Sequence, residues 1–219
     1  MTDSSSRIVT TNQTGIHDDL IETLLKHLGS DFHKPVAEHS QIAFDVCCDL
    51  ISANERGIIL DSGCGIGQST KILAEKYPDN WVIGVDQSEH RLNKISQQLP
   101  DNCQFIRADL IDFWRLALQA RWKLEQHYIL YPNPWPKAKH LKRRWHGHPL
   151  MPTILNLGGE LILRSNWDLY VLEFATVLDY LSYPAREIQA IEPEFFLTPF
   201  EKKYYESGQT LYELKAELS

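Results

Sequence analysis

The sequence predicts an α/β protein: a mostly parallel seven-stranded sheet with helices on both faces, an antiparallel C-terminal strand and a helical N-terminal extension. Three observations carry this. Between about residues 57 and 164, five short apolar runs alternate with helix-patterned stretches, and crossovers of that length join parallel strands. A glycine-rich turn, Gly63-Cys64-Gly65-Ile66-Gly67, stands where the first run gives way to a helix. Beyond residue 185, two β-patterned runs follow one another across a loop, as in an antiparallel pair.

Each element has its own signal. Ile16, Leu20, Ile21, Leu24, Leu25 and Leu28 share one helical face closed by Gly29, and a second helical pattern covers about Glu38 to Ala53. These form the extension, residues 1–56, with Met1–Ser6 a polar, disordered lead-in. Strands are expected at Gly57–Asp61, Trp81–Asp86, Cys103–Arg107, His127–Tyr131 and Gly159–Arg164. Helices are expected at Gln68–Tyr77, Ser88–Gln98, Leu110–Arg121, Pro149–Asn156 and Trp167–Leu181. The closing antiparallel pair is Glu187–Glu192 with Thr210–Leu218, so the main domain covers 57–219.

Composition narrows the class. Hydrophobic residues make up 43% and charged residues 23% of 219, as in an ordinary globular domain. No apolar run is long enough for a membrane span and the N-terminus lacks a secretory h-region. Four cysteines without a Cys-x-x-Cys spacing read as free thiols, so a reduced cytoplasmic setting is expected.

The glycine turn points to a nucleotide ligand. Gly63, Gly65 and Gly67 let the backbone turn tightly and approach a ligand. Their spacing departs from the dinucleotide fingerprint. It favours the variant loop of S-adenosylmethionine (SAM) enzymes over NAD binding. Asp61 suits a ligand ammonium or a water-bridged cation. Asp86, ending the second strand, can accept both hydroxyls of a ribose, and Asp109 is placed to meet an adenine edge. Such ligands sit outside the strand ends at the topological switch point, here between the first and fourth strands.

The fourth strand runs into Tyr131-Pro132-Asn133-Pro134-Trp135-Pro136. Its prolines hold the segment extended and end the strand, presenting Asn133 and Trp135 on a rigid platform. Lys137, Lys139, Lys142, Arg143 and Arg144 follow, and no acid occurs between Glu125 and Glu160. The chain as a whole carries a net charge of −7, so this is a local positive face suited to phosphates. Trp135 is expected to pack the platform onto the core, whereas Trp145 is a candidate for stacking on a base. His140, His146 and His148 lack partners for a metal site and are expected beside phosphate. Ser62, Ser165 and Cys64 have no His–acid relay and are not nucleophiles.

From about residue 57 onward the chain resembles the bacterial tRNA (guanine-N(7))-methyltransferases, the TrmB family. The resemblance rests on Asp61–Gly67, Gly84-Val85-Asp86, Arg107-Ala108-Asp109, Pro132–Arg144, Ser165-Asn166-Trp167 and Thr198-Pro199-Phe200-Glu201. It implies a Rossmann-like class I SAM-dependent methyltransferase fold, with SAM as cofactor and RNA, chiefly tRNA, bound through the basic segment 137–148. It further implies cofactor contacts at Asp61, Asp86 and Asp109. Lys137 and the Thr198–Glu201 stretch become substrate contacts, with Thr198 and Glu201 facing the target base. Lys142, Arg143 and Arg144 are assigned to phosphates on their charge.

Two departures stand out: the family usually has aspartate where this chain has Asn133 and Asn166. Both amides are expected to line one catalytic pocket beside the methyl group, with Asn133 also touching the cofactor. The Thr11–His17 opening suggests a separate branch. Guanine N7 already offers a lone pair, so no proton must leave before attack; the task is alignment at about 3–3.5 Å. Asn133-Pro134-Trp135 also resembles the motif of amino-methyltransferases, which leaves an exocyclic amine as an alternative target. A catalytically weakened RNA-binding homologue is a third reading. Monomer and homodimer both stay open.

Overall fold

In a computed structural model, describing residues 6–30, 32–52, 55–95, 98–183 and 185–218, the predicted alternation is present. Helices α1 (Leu20–Leu28) and α2 (Glu38–Ile51) precede β1 (Ile58–Ser62), α3 (Gln68–Lys76), β2 (Trp81–Asp86) and α4 (Glu89–Leu92). Then come β3 (Cys103–Arg107), α5 (Leu110–Gln119), β4 (Leu124–Leu130) and two 3₁₀ turns, Ala138–Arg143 and Trp145–Gly147. The chain ends with α6 (Met151–Leu157), β5 (Glu160–Ser165), α7 (Asp168–Tyr180), β6 (Ala185–Ile191), α8 (Pro199–Glu206) and β7 (Leu211–Glu217). Most of the expected lead-in, and Ala53 at the expected end of α2, lie outside the described residues.

The seven strands lie in the order β3-β2-β1-β4-β5-β7-β6. All neighbours are parallel except β7, which runs antiparallel to both β5 and β6. The antiparallel strand is thus inserted beside β5 rather than appended at the edge. β1 pairs with both β2 and β4, so the switch point falls where the sequence put it.

Side-chain alternation divides the core unequally. Leu60, Ile83, Ile129 and Leu163 face a large cluster shared with Leu20, Phe44, Phe113 and Phe174 from four helices. Ile59, Val82, Leu130 and Ile162 face a smaller one, with Leu73 and Ala74 of α3. β2 is buried along its whole length, as a central parallel strand covered on both faces must be. Each such apolar side chain contributes about 1.5–3 kcal/mol of transfer energy.

Two expectations need correction. α4 stops at Leu92 instead of reaching Gln98, with turns at Asn93 and Lys94; part of the expected remainder lies outside the described residues. The link between the last two strands holds a helix, α8, where only a loop was expected. Thr198 caps it, accepting a hydrogen bond from the Glu201 amide at 3.0 Å, and Pro199 stands at its first turn. That is a capping signature readable from Thr-x-x-Glu.

Candidate active site

The C-terminal ends of β1, β2, β3 and β4 surround a cavity of about 740 Å³, within the size range of small-molecule sites. Gly63, Asp86, Asp109, Asn133, Lys142 and Arg143 all line it. Asp61, Gly65, Gly67, Lys137, Arg144, Asn166, Thr198 and Glu201 are not among its lining residues.

The loop after β1 is shaped by its glycines. Gly63 and Gly65 have φ of +86° and +61°, and a Cβ on either would meet open space. At Gly63 that space is the cavity. Gly67 differs: a Cβ there would strike the Phe105 ring at 2.6 Å, so this glycine serves packing at the start of α3. Asp61 is buried, and its Oδ2 accepts from Ser69 Oγ and Thr70 Oγ1, each at 2.6 Å. Burial pushes its carboxyl up to about 6, against the two hydroxyls. Asp61 does not line the cavity where its ligand contact was expected, and its Oδ2 ties β1 to α3 through the two hydroxyls of the first turn.

Asp86 joins loop and strand. Its Oδ2 accepts from the Gly65 amide at 3.0 Å, while Oδ1 accepts from the Ser88 amide at 2.8 Å and from Arg91 Nη2 at 2.9 Å. A carboxylate has about four acceptor positions, so one remains for a ligand hydroxyl. Asp109 caps α5 through the Ile111 amide and meets Lys34 Nζ, both at 3.0 Å. Open loop, strand-end carboxylate and cavity volume fit the adenosyl and methionyl parts of SAM.

Across the cavity stands the proline platform. Tyr131 and Trp135 have positive φ, 51° and 46°, unusual for bulky residues and held only by surrounding structure. Tyr131 therefore starts the platform instead of ending β4. Asn133 is exposed, and its Oδ1 takes a long 3.4 Å bond from the Trp135 amide. Trp135 is a cavity wall rather than a core residue: the Arg143 guanidinium lies 4.7 Å from its ring centre, with His140 at its edge. Trp145 also lines the cavity, packed edge-on against Trp114 at 4.6 Å.

The basic segment is split by its 3₁₀ geometry. Lys137, Lys139, Lys142 and Arg143 are exposed, whereas Leu141 and Arg144, three residues apart, are buried. Residues i and i+3 eclipse in a 3₁₀ turn, so both point inward. Arg144 pairs with Glu173 and donates to Gln13 Oε1 and the Trp135 carbonyl. Its expected phosphate contact is corrected. His146 is likewise buried, 2.9 Å from Glu173 Oε2, and not beside phosphate. Lys137 is exposed outside the cavity. Glu173 also accepts from Gln13 and from the His17 amide, pinning the N-terminal strap beneath the platform.

The two amides are not brought together at the cavity. Asn166 donates to Gln209 Oε1 at 2.8 Å, because β7 inserts beside β5 and carries the preceding turn to that point. Thr198 and Glu201 are also corrected. Glu201 is buried and accepts from Tyr131 Oη at 2.9 Å, Arg164 Nη1 at 2.8 Å and the Leu197 amide at 2.6 Å. Both residues build α8 rather than face the cavity. The sequence reading missed Arg91, Tyr131 and Tyr204, which line the cavity; Phe200 of the Thr198–Glu201 stretch and His148, expected beside phosphate, line it too. Burial lowers His148 to about 4, so it is neutral near pH 7.

A protein-family model described as "Putative methyltransferase" matches residues 55–214. The chain belongs to this methyltransferase family. It is 31% identical over 128 residues to a tRNA (guanine-N(7)-)-methyltransferase of Syntrophotalea carbinolica, covering 53% of each chain. The chain thus spans about half the length of that relative. It is 27% identical to the enzyme of that name from Nitrosospira multiformis, over 71% of this chain and 72% of that one. Among solved structures, the 16S rRNA methyltransferase KamB superposes with a TM-score of 0.58 at 17% identity, over 85% of this chain and 97% of that one. The fold is that of the class I SAM-dependent methyltransferases, and SAM is the family's cofactor. Among the described residues no helix is long and apolar enough to cross a membrane, and no cluster of potential metal ligands occurs.

Proposed function

We propose that this methyltransferase modifies guanine at ring nitrogen 7 in tRNA. One observation carries the reading: a single cavity holds the Gly63–Asp86–Asp109 end, the Asn133 platform and the cations Lys142 and Arg143. The names of the curated relatives support it.

SAM, when bound, supplies an activated methyl group on a sulfonium. Asp86 takes a ribose hydroxyl on its remaining acceptor position, and Asp109 takes the adenine amine. Asn133 orients the target: its amide N–H₂ donates to guanine O6, next to the attacking N7. An aspartate at this position would instead read the Watson–Crick donors. N7 attacks with a lone pair it already has, so the side chains need only hold nucleophile and methyl carbon in line. Lys142 and Arg143 at the cavity, with exposed Lys137 beyond it, take the flanking phosphates.

The loosely committed Asn133 Oδ1 gives one other reading some support, since it could accept from an exocyclic amine. Incubating the protein with methyl-labelled SAM and tRNA tests the reading as a whole. Label should enter the RNA and be suppressed by S-adenosylhomocysteine; unlabelled tRNA after exhaustive incubation would overturn the proposal.

A further inference from the structure

We propose that Thr11 and Asn12 are positioning residues for methyl transfer: they clasp the proline platform and so fix where Asn133 stands in the cavity. The inference rests on the reading of the platform given above and deepens it. The platform cannot hold itself. Pro132, Pro134 and Pro136 have no amide hydrogen to put into a sheet ladder. Trp135 carries a φ of 46°, a conformation that a bulky residue keeps only when its surroundings impose it. The N-terminal strap supplies those surroundings. Thr11 Oγ1 donates to the Pro136 carbonyl, and Asn12 Oδ1 accepts from the Ala138 amide at 3.1 Å.

The clasp is itself braced. Thr11 Oγ1 accepts from the Gln13 amide at 3.0 Å, which leaves its hydrogen for Pro136. Gln13 Oε1 accepts from Arg144, whose Nε donates to the Trp135 carbonyl at 3.2 Å. Three backbone groups at the end of the platform, the carbonyls of Trp135 and Pro136 and the Ala138 amide, thus depend on residues 11–13. Farther back the strap is anchored again: the Ser6 amide donates to Ser207 Oγ at 2.8 Å, and Gln209 Nε2 donates to the Ser6 carbonyl at 2.9 Å. Gln209 is also the residue that accepts from the Asn166 amide. One segment of chain therefore runs from the turn beside Asn166 to the platform that carries Asn133. Thr11 and Asn12 are exposed, so water competes for their hydrogen bonds and the net gain in stability is small. What the bonds supply is geometry, and a displacement of about 1 Å at the reacting groups costs on the order of 100-fold in rate.

The test compares two double variants of the full chain. Thr11→Val with Asn12→Leu removes the hydroxyl and the acceptor at nearly constant volume, whereas Thr11→Ser with Asn12→Asp keeps both. With tRNA and SAM, the first should lower kcat by about 10- to 100-fold. KM for tRNA should hold, because exposed Lys142 and Arg143 are untouched. The second should keep most of the parent kcat, and SAM affinity should be the same in all three proteins. Trypsin should cut after exposed Lys137 and Lys139 faster in the first variant than in the parent. Undiminished kcat in the first variant, equal loss in both variants, unchanged cleavage, or a lower Tm as the only change would overturn the proposal. A parent inactive on tRNA whose first variant is still cut faster would uphold the clasp and overturn the guanine reading instead.

Discussion

Arg144 and Glu173 form an ion pair in which neither side chain has any exposed surface. Gln13 bridges both partners, and His146 donates to the same carboxylate. The pair lies under the platform that presents Asn133, so it links the N-terminal strap to the cavity wall. Removing one partner strands a buried charge. Arg144→Ala should therefore cost about 3–5 kcal/mol in urea unfolding, whereas Arg143→Ala should cost under about 1. Equal, small losses in both would mean that Arg144 is a surface cation after all.

Phosphate binding should follow exposure rather than sequence proximity. Replacing Lys142 and Arg143 together with Ala should reduce the slope of log affinity for tRNA against log salt by nearly two, somewhat under one per lost contact. SAM affinity should be spared. An unchanged slope would make the exposed cations a solvated face.

Asp86 is a strand-end carboxylate that lines the cavity and keeps an acceptor position for a ligand hydroxyl. Asp86→Asn should weaken SAM binding by about 1.5–3 kcal/mol, the scale of a charge-assisted hydrogen bond, as read by calorimetry on a variant checked for folding. Unaltered affinity would mean that the ribose lies elsewhere.

Burial lowers His127 to about 3, with Ser62 Oγ at 2.8 Å from its Nε2. The unfolded chain binds a proton near pH 6.5 that the folded chain refuses until about pH 3. The neutral group's stabilising contribution is thus intact above 6.5 and is lost as pH falls toward 3. Between pH 6.5 and 5 the loss is about 2 kcal/mol. Raised Asp61 acts with the opposite sign over part of this window, so the comparison must be between proteins. His127→Asn should remove about 2 kcal/mol of pH dependence from the unfolding free energy across that interval. Parallel curves would show that His127 is protonated in the folded state.

Much of the architecture was readable because local signals agreed with the final packing. Trp81–Asp86 and Cys103–Arg107 match their predicted strands end to end, since each apolar run is closed by turn residues. Gly63 and Asp86, singled out on spacing alone, both line the cavity. Arg143 and Arg144 could not be told apart, because both are cations in one run and only the 3₁₀ turn sends one inward. Asn166 was misplaced for a non-local reason: the insertion of β7 beside β5 decides what it meets. Glu201 was expected to face the base, yet the same Thr-x-x-Glu spacing is a helix cap, and its carboxylate is buried against Tyr131, Arg164 and the Leu197 amide.

The central claim is tested most directly by nucleoside mass spectrometry of tRNA methylated by the purified protein. The account predicts 7-methylguanosine as the new product. It also predicts that Asn133→Ala abolishes that product while keeping SAM affinity within about 1 kcal/mol, the size of one neutral hydrogen bond. A methylated exocyclic amine in place of 7-methylguanosine, or undiminished 7-methylguanosine from the Asn133→Ala protein, would contradict it.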